Sequence, residues 1–116
     1  MDLNHVEDLL SDRTRLLILN SPHNPNGSTI PEEDLAEMAR MVGDRDLVIL
    51  SDEIYSRIQY EGRHASPASF PALREKTVIM DGFSKTYAMT GWRMGYGVMP
   101  RELAAQVTKL GINNHS

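Results

Sequence analysis

The sequence predicts an α/β fold, a partial three-layer sandwich on a mostly parallel sheet, with one antiparallel strand over residues 93–99. Three observations carry this. Continuous apolar runs at Arg15–Asn20, Asp46–Leu50 and Thr77–Met80 each run into turn formers or polar residues, as buried strands do. An amphipathic stretch, Pro31–Val42, fills the first gap, and a strand–helix–strand unit of that length implies parallel pairing with a right-handed crossover. The link from Asp81 to Arg93 contains Gly82 and Gly91 and no helical period, so the strand after it returns antiparallel.

In chain order, Asn4–Leu10 reads as a short helix with Asn4 as cap and Glu7 three residues on. Strand Arg15–Asn20 ends in Ser21-Pro22-His23-Asn24-Pro25-Asn26-Gly27, a dense cluster of turn formers. Thr29 and Glu32 form a capping box, Pro31 suits a first helical turn, Leu35, Met38, Ala39 and Val42 share one face, and Gly43 marks the stop. Strand Asp46–Leu50 runs into Ser51-Asp52-Glu53-Ile54-Tyr55. The polar stretch Glu61–Pro71 is an irregular connection to Thr77. Pro100 opens a last helix with Leu103, Val107 and Leu110 on one side and Gly111 as its cap, and a polar tail runs to Ser116. A parallel sheet of this kind expects cover on both faces.

Composition narrows the function. At 116 residues the chain is at most one domain with a modest core. A net charge of −4 gives no electrostatic case for nucleic acid or an anionic membrane. No apolar run approaches bilayer length and the N-terminus lacks a signal peptide's basic region, so a cytoplasmic protein is expected. The absence of cysteine excludes disulfides and thiolate chemistry. His5, His23, His64 and His115 lack metal-ligand spacing and read as surface or turn residues, so no metal site is expected. The methionines read as core filler, and Trp92 as a packing anchor behind the lysine loop.

The chemistry-bearing residues fall in three loops, each following a strand. The first holds Asn24, the second Asp52 and Tyr55, the third Lys85 with Ser84 beside it and Arg93 beyond. With parallel strands these loops open on one sheet edge, where ligands of open α/β sheets bind. An amide, a carboxylate, a phenol, an amine and a guanidinium gathered there are the inventory for pyridoxal phosphate. Taken singly, each has a structural reading. Asp52 and Asn24 suit turns, Tyr55 suits a core, a lone loop lysine is usually solvated, and Arg93 could pair with Asp81. Gly91, Gly95 and Gly97 do not open a helix after a strand and make no dinucleotide fingerprint.

Asn24-Pro25-Asn26-Gly27, Ser51-Asp52-Glu53-Ile54-Tyr55, Ser84-Lys85-Thr86 and Met89-Thr90-Gly91-Trp92-Arg93-Met94-Gly95-Tyr96 resemble, in order and spacing, the signatures of class I/II pyridoxal phosphate-dependent aminotransferases of the aspartate aminotransferase superfamily. The resemblance runs from about Arg15 to the chain end. It implies that Lys85 forms the Schiff base with the cofactor and shuttles the substrate's α-proton, and that Asp52 pairs with the pyridine nitrogen. It further implies that Asn24 and Tyr55 bind the phenolic oxygen, and that Arg93, with Ser84 as a weaker ligand, takes the phosphate. Gly82 stands where some relatives carry a phosphate-binding serine. The family's enzymes are several times longer, with an N-terminal phosphate loop, a small domain and a site built across a homodimer. The resemblance therefore implies that residues 1–116 are the central segment of a large domain lacking those parts, inactive alone. The parent enzyme would exchange an amino group between an amino acid and a 2-oxo acid. Another pyridoxal phosphate enzyme of the fold, such as a carbon–sulfur lyase, and a non-catalytic truncated module are the alternatives.

Overall fold

The computed structural model describes residues 1–114. Helix α1 (Leu3–Leu9) precedes strand β1 (Leu16–Asn20), helix α2 (Glu32–Val42) and strand β2 (Val48–Asp52). A 3₁₀ turn at Pro67–Ser69 and the single-turn helix α3 (Pro71–Arg74) then lead to strand β3 (Thr77–Gly82). A second 3₁₀ turn, Thr90–Trp92, precedes strand β4 (Gly95–Val98) and helix α4 (Arg101–Asn114).

The strands form one sheet in the order β1-β2-β3-β4. The pairs β1–β2 and β2–β3 are parallel, and β3–β4 is antiparallel, as the short link after Asp81 requires. Leu17, Ile49 and Thr77 are in register, as are Asn20, Asp52 and Met80. Side chains alternate along each strand. Leu19 and Ile49 pack with Leu35, Met38 and Val42 of α2 and Leu73 of α3 into the core. On the other face Leu16, Ile18 and Met80 are 51%, 64% and 47% exposed. Cover on both faces was expected, and the topology explains why only one is lined by the chain's own helices. Adding β1, β2 and β3 in sequence with right-handed crossovers carries each connection over the same face.

The local signals differ from the sequence reading at several points. Asp2 caps α1, its carboxylate accepting from the His5 amide at 3.1 Å, because the helix begins one residue before Asn4. The Thr29 capping box does not form. Pro31, extended at φ −64° and ψ 157°, occupies the N-cap of α2 without a side-chain bond. Glu32, Glu33 and Asp34 fill the first turn instead and favour the positive end of the helix dipole. Gly43 does end α2, but in right-handed geometry, for reasons of space. A Cβ there would stand 2.6 Å from the Ala39 carbonyl oxygen and 3.3 Å from the Ala72 Cβ on α3. Helix α4 continues through Gly111 to Asn114, since one helical glycine costs only about 1 kcal/mol. Its apolar residues Val107, Leu110 and Ile112 are exposed. Of the methionines, Met38 is core, whereas Met1, Met80 and Met94 are exposed. Trp92 is 69% exposed, which does not fit the expected packing anchor. His115 and the end of the polar tail lie outside the described residues.

Candidate functional site

The carboxyl ends of β1, β2 and β3 set the site. Asn20 ties the first two loops together. Its amide nitrogen donates to the Asp52 carbonyl at 3.3 Å, and its side-chain oxygen accepts from the Asn24 amide at 3.1 Å. Ser21, buried, adds a second strap, its amide donating to the Asp52 carbonyl at 3.2 Å and its hydroxyl accepting from the Ile30 amide at 3.0 Å. The turn between closes through the Gly27 amide on the His23 carbonyl at 2.7 Å, with Gly27 at φ 72°, where a side chain would be strained. Asn20 and Ser21 escaped the sequence reading because one closes an apolar run, the other opens a cluster of turn formers, and neither carries a motif of its own.

These straps bring Asn24 to Tyr55. The Asn24 Nδ2 stands 3.4 Å from the Tyr55 hydroxyl, and the Lys85 Nζ lies over the Tyr55 ring, 5.5 Å from its centre. Tyr55 is held by a tight turn in which the Ser56 amide donates to the Glu53 carbonyl and the Ile58 amide to the Tyr55 carbonyl, each at 2.8 Å. Asp52 ends β2, one carboxylate oxygen accepting from the Ile54 amide at 3.3 Å. A cleft of about 450 Å³ opens beside Asn24 and Tyr55, walled by Pro22, Pro25, Gln59 and Glu61. Lys85 and Asp52 do not line it. The cleft marks the approach to the amide and the phenol, and the three-residue contact is the better guide to the chemistry.

Lys85 projects from a compact turn. The Tyr87 and Met89 amides both donate to the Phe83 carbonyl at 3.3 Å, and Phe83 sits between the Tyr87 and Tyr96 rings at 5.8 and 5.7 Å. Gly82 suits the close approach of β3 and β4, since a Cβ there would be 3.1 Å from the Met94 carbonyl oxygen and 3.3 Å from the Ile54 side chain, and these would have to give way slightly. The Thr86 hydroxyl is buried without a partner among the described residues.

Arg93 does not pair with Asp81. Its guanidinium donates to the Thr90 carbonyl at 3.1 Å, and the residue adopts φ 52°. Asp81 is already engaged, by its own neighbour's Gly82 amide and by the Tyr96 hydroxyl, both at 2.7 Å. Ser84 is half-buried. The structure thus gathers Asn24, Tyr55 and Lys85. It puts Asp52 on the adjoining strand end and leaves Ser84 and Arg93 on the lysine side without hydrogen bonds to those three among the described residues.

The bond to Asp81, with partial burial and the carboxylate's charge, raises the Tyr96 phenol above its ordinary range, and Arg57 opposes this weakly. The folded chain therefore holds the phenolic proton more tightly than the unfolded one. That contribution is complete below about pH 10 and is lost as pH climbs through the raised value. Tyr96→Phe should flatten the alkaline fall in unfolding midpoint, and an unchanged slope above pH 10 would contradict the pairing.

The carboxyl ends of the parallel strands thus present an amide, a phenol and an amine together, with a carboxylate at the end of β2. The chain matches the family model for class I and II aminotransferases over residues 1–115. It is 41% identical to the arginine–pyruvate transaminase of Pseudomonas aeruginosa, over 92% of this chain and 27% of that protein. To the methionine aminotransferase of Escherichia coli it is 40% identical, over 95% and 29%. The solved aromatic aminotransferase of Pyrococcus horikoshii superposes with a TM-score of 0.93 at 39% identity, over 98% of this chain and 31% of that one. The chain belongs to the class I and II aminotransferases, a pyridoxal phosphate-dependent family, and spans under a third of the length of these relatives.

Proposed function

We propose that residues 1–116 are the central segment of the cofactor-binding large domain of a pyridoxal phosphate-dependent aminotransferase. In this reading an N-terminal phosphate loop and a small domain come from outside these residues, and the working enzyme is a cytoplasmic homodimer. It would transfer an amino group between an amino acid and a 2-oxo acid, as the arginine–pyruvate and methionine relatives are named for doing. One observation carries the reading: Asn24 Nδ2 and Tyr55 OH lie 3.4 Å apart, with the Lys85 amine over the Tyr55 ring.

The donor set fits the cofactor. Asn24 and Tyr55 offer an N–H and an O–H to its phenolic oxygen, Asp52 offers a carboxylate to its ring nitrogen, and Arg93 and Ser84 offer donors to its phosphate. When bound, pyridoxal phosphate supplies an aldehyde that condenses with amines and a protonated ring that withdraws electrons from the carbon next to the amino nitrogen. Lys85 would hold the cofactor's aldehyde end through Nζ, and its amine would serve to move the substrate's α-proton. Asp52 would favour a proton on the ring nitrogen by its charge. Arg93 spends one N–H of its guanidinium on the Thr90 carbonyl and keeps the others for a phosphate. Removing Asp52 is thus expected to slow the chemical step, and removing Arg93 to weaken cofactor affinity.

The test is to incubate the chain with pyridoxal phosphate, reduce with borohydride and map the pyridoxyl label by peptide mass spectrometry. The sequence has three lysines, which makes the assay discriminating. Lys76 is occupied, its Nζ donating to the carbonyls of Val42, Gly43 and Arg45 at 3.2, 2.6 and 2.6 Å, and Lys109 lies on the exposed α4. Label concentrated on Lys85 is the expected result. Equal label on Lys85 and Lys109 would mean that Lys85 is an ordinary surface amine.

A further inference from the structure

Glu53 stands between Asp52 and Tyr55 in sequence, yet its carboxylate is turned to the helix-covered side of the sheet. It is 6% exposed and accepts from three donors: the Ser51 hydroxyl at 3.0 Å, the Ser66 hydroxyl at 2.6 Å and the His64 Nε2 at 2.7 Å. Ser51 lies in β2, whereas His64 and Ser66 lie in the segment that leads to α3. Since Ser51 and Glu53 share one side and side chains alternate, Asp52 between them projects to the other. The Glu53 amide, donating to the Met80 carbonyl at 2.9 Å, also holds β3, whose end leads into the Lys85 turn. His64, expected at the surface, is instead mostly covered, with 15% of its side chain accessible.

We infer that Glu53 is a positioning residue for the proposed site: its carboxylate, gripping Ser51, His64 and Ser66, fixes the backbone that aims Asp52 and Tyr55. A buried carboxylate requires such partners, and charge-assisted bonds to several segments are strong enough to set a turn. The inference rests on the reading that Asp52 and Tyr55 hold the cofactor. Its chemistry separates it from mere packing. Glu53→Gln keeps the shape and the capacity to bond all three partners, since an amide both accepts and donates and the hydroxyls and the imidazole can do either. Glu53→Leu fills the same space and offers those partners no bond.

The experiment compares the full chain with Glu53→Gln and with Glu53→Leu. Protection factors are read by hydrogen exchange at the amides of Ile54, Ser56 and Ile58, which bond within the turn. Pyridoxyl labelling of Lys85 is read beside them, and far-ultraviolet circular dichroism verifies that the chain is folded. Relative to the parent, Glu53→Leu should lose protection about tenfold, the worth of one buried hydrogen bond, and Glu53→Gln should restore most of it. Selective label should fall in Glu53→Leu and recover in Glu53→Gln. Parent-like protection in Glu53→Leu, or an equal loss in both variants, overturns the inference. So does lost protection with labelling unchanged, which makes Glu53 a fastening of the connecting segment alone. A parent chain that never labels selectively at Lys85 removes the cofactor site itself, and with it the positioning role, while the exchange ratio still decides whether Glu53 holds the turn.

Discussion

Lys85→Arg is expected to abolish selective attachment of pyridoxal phosphate and to slow amino-group transfer in an assembled enzyme by at least about a hundredfold, the lower range for losing a positioned acid–base group. The substitution is chosen because it separates charge from reactivity. A guanidinium keeps the positive charge over the Tyr55 ring, where the Lys85 Nζ now stands 5.5 Å from the centre, and so preserves the cation–π contact and the turn. It cannot lose its proton near neutral pH, and so can neither condense with an aldehyde nor accept the substrate's α-proton. Lys85→Ala removes both properties. If the amine is the functional group, the two variants fail alike in borohydride labelling, while Lys85→Arg retains the parent's unfolding midpoint. If Lys85 only steadies the turn, Lys85→Arg behaves as the parent and Lys85→Ala is the less stable. Full activity in Lys85→Arg would sink the proposed mechanism.

Much of this was legible because the deciding signals are local. Three apolar runs bounded by turn formers gave β1, β2 and β3 to within a residue or two, and the 3.6-residue spacing of Leu35, Met38 and Val42 gave α2. The direction of β4 followed from the length of one link. The placement of Asn24, Asp52, Tyr55 and Lys85 on one sheet edge followed from parallel pairing alone. What escaped depends on contacts between residues distant in the chain. The Asn20 bonds join two loops across 32 residues, and Glu53 finds His64 and Ser66 in a segment whose composition says only that it is irregular. The Asp81–Tyr96 bond was not read from the sequence, because antiparallel register, which no local pattern encodes, sets the two opposite each other. The caps failed for a subtler reason. Asp2 and Asn4, or Thr29 and Pro31, are two residues apart and both lie within the ordinary uncertainty of a helix boundary.

Leu35→Ala is expected to destabilise the chain by about 2–5 kcal/mol. Leu35 is 1% exposed and lies in the core cluster of α2 with the sheet residues Leu19 and Ile49. With cover from its own helices on a single sheet face, the chain has little with which to refill the cavity. Domains of this size are stable by roughly 5–15 kcal/mol, so the loss is a large share of the total and should appear as a marked drop in the urea midpoint with the slope retained. The same measurement, repeated with pyridoxal phosphate, joins the two predictions. A ligand that binds only the folded chain adds about 2.7 kcal/mol at a hundredfold excess over its dissociation constant, whatever the core contains. The cofactor should therefore raise the midpoints of the parent and of Leu35→Ala by equal free energies and leave Lys85→Ala nearly unmoved. An equal gain in Lys85→Ala would place the binding elsewhere than at Lys85. A smaller gain in Leu35→Ala than in the parent would mean that the packing of α2 is felt at the carboxyl ends of β1 and β2, where Asn24 and Asp52 are held.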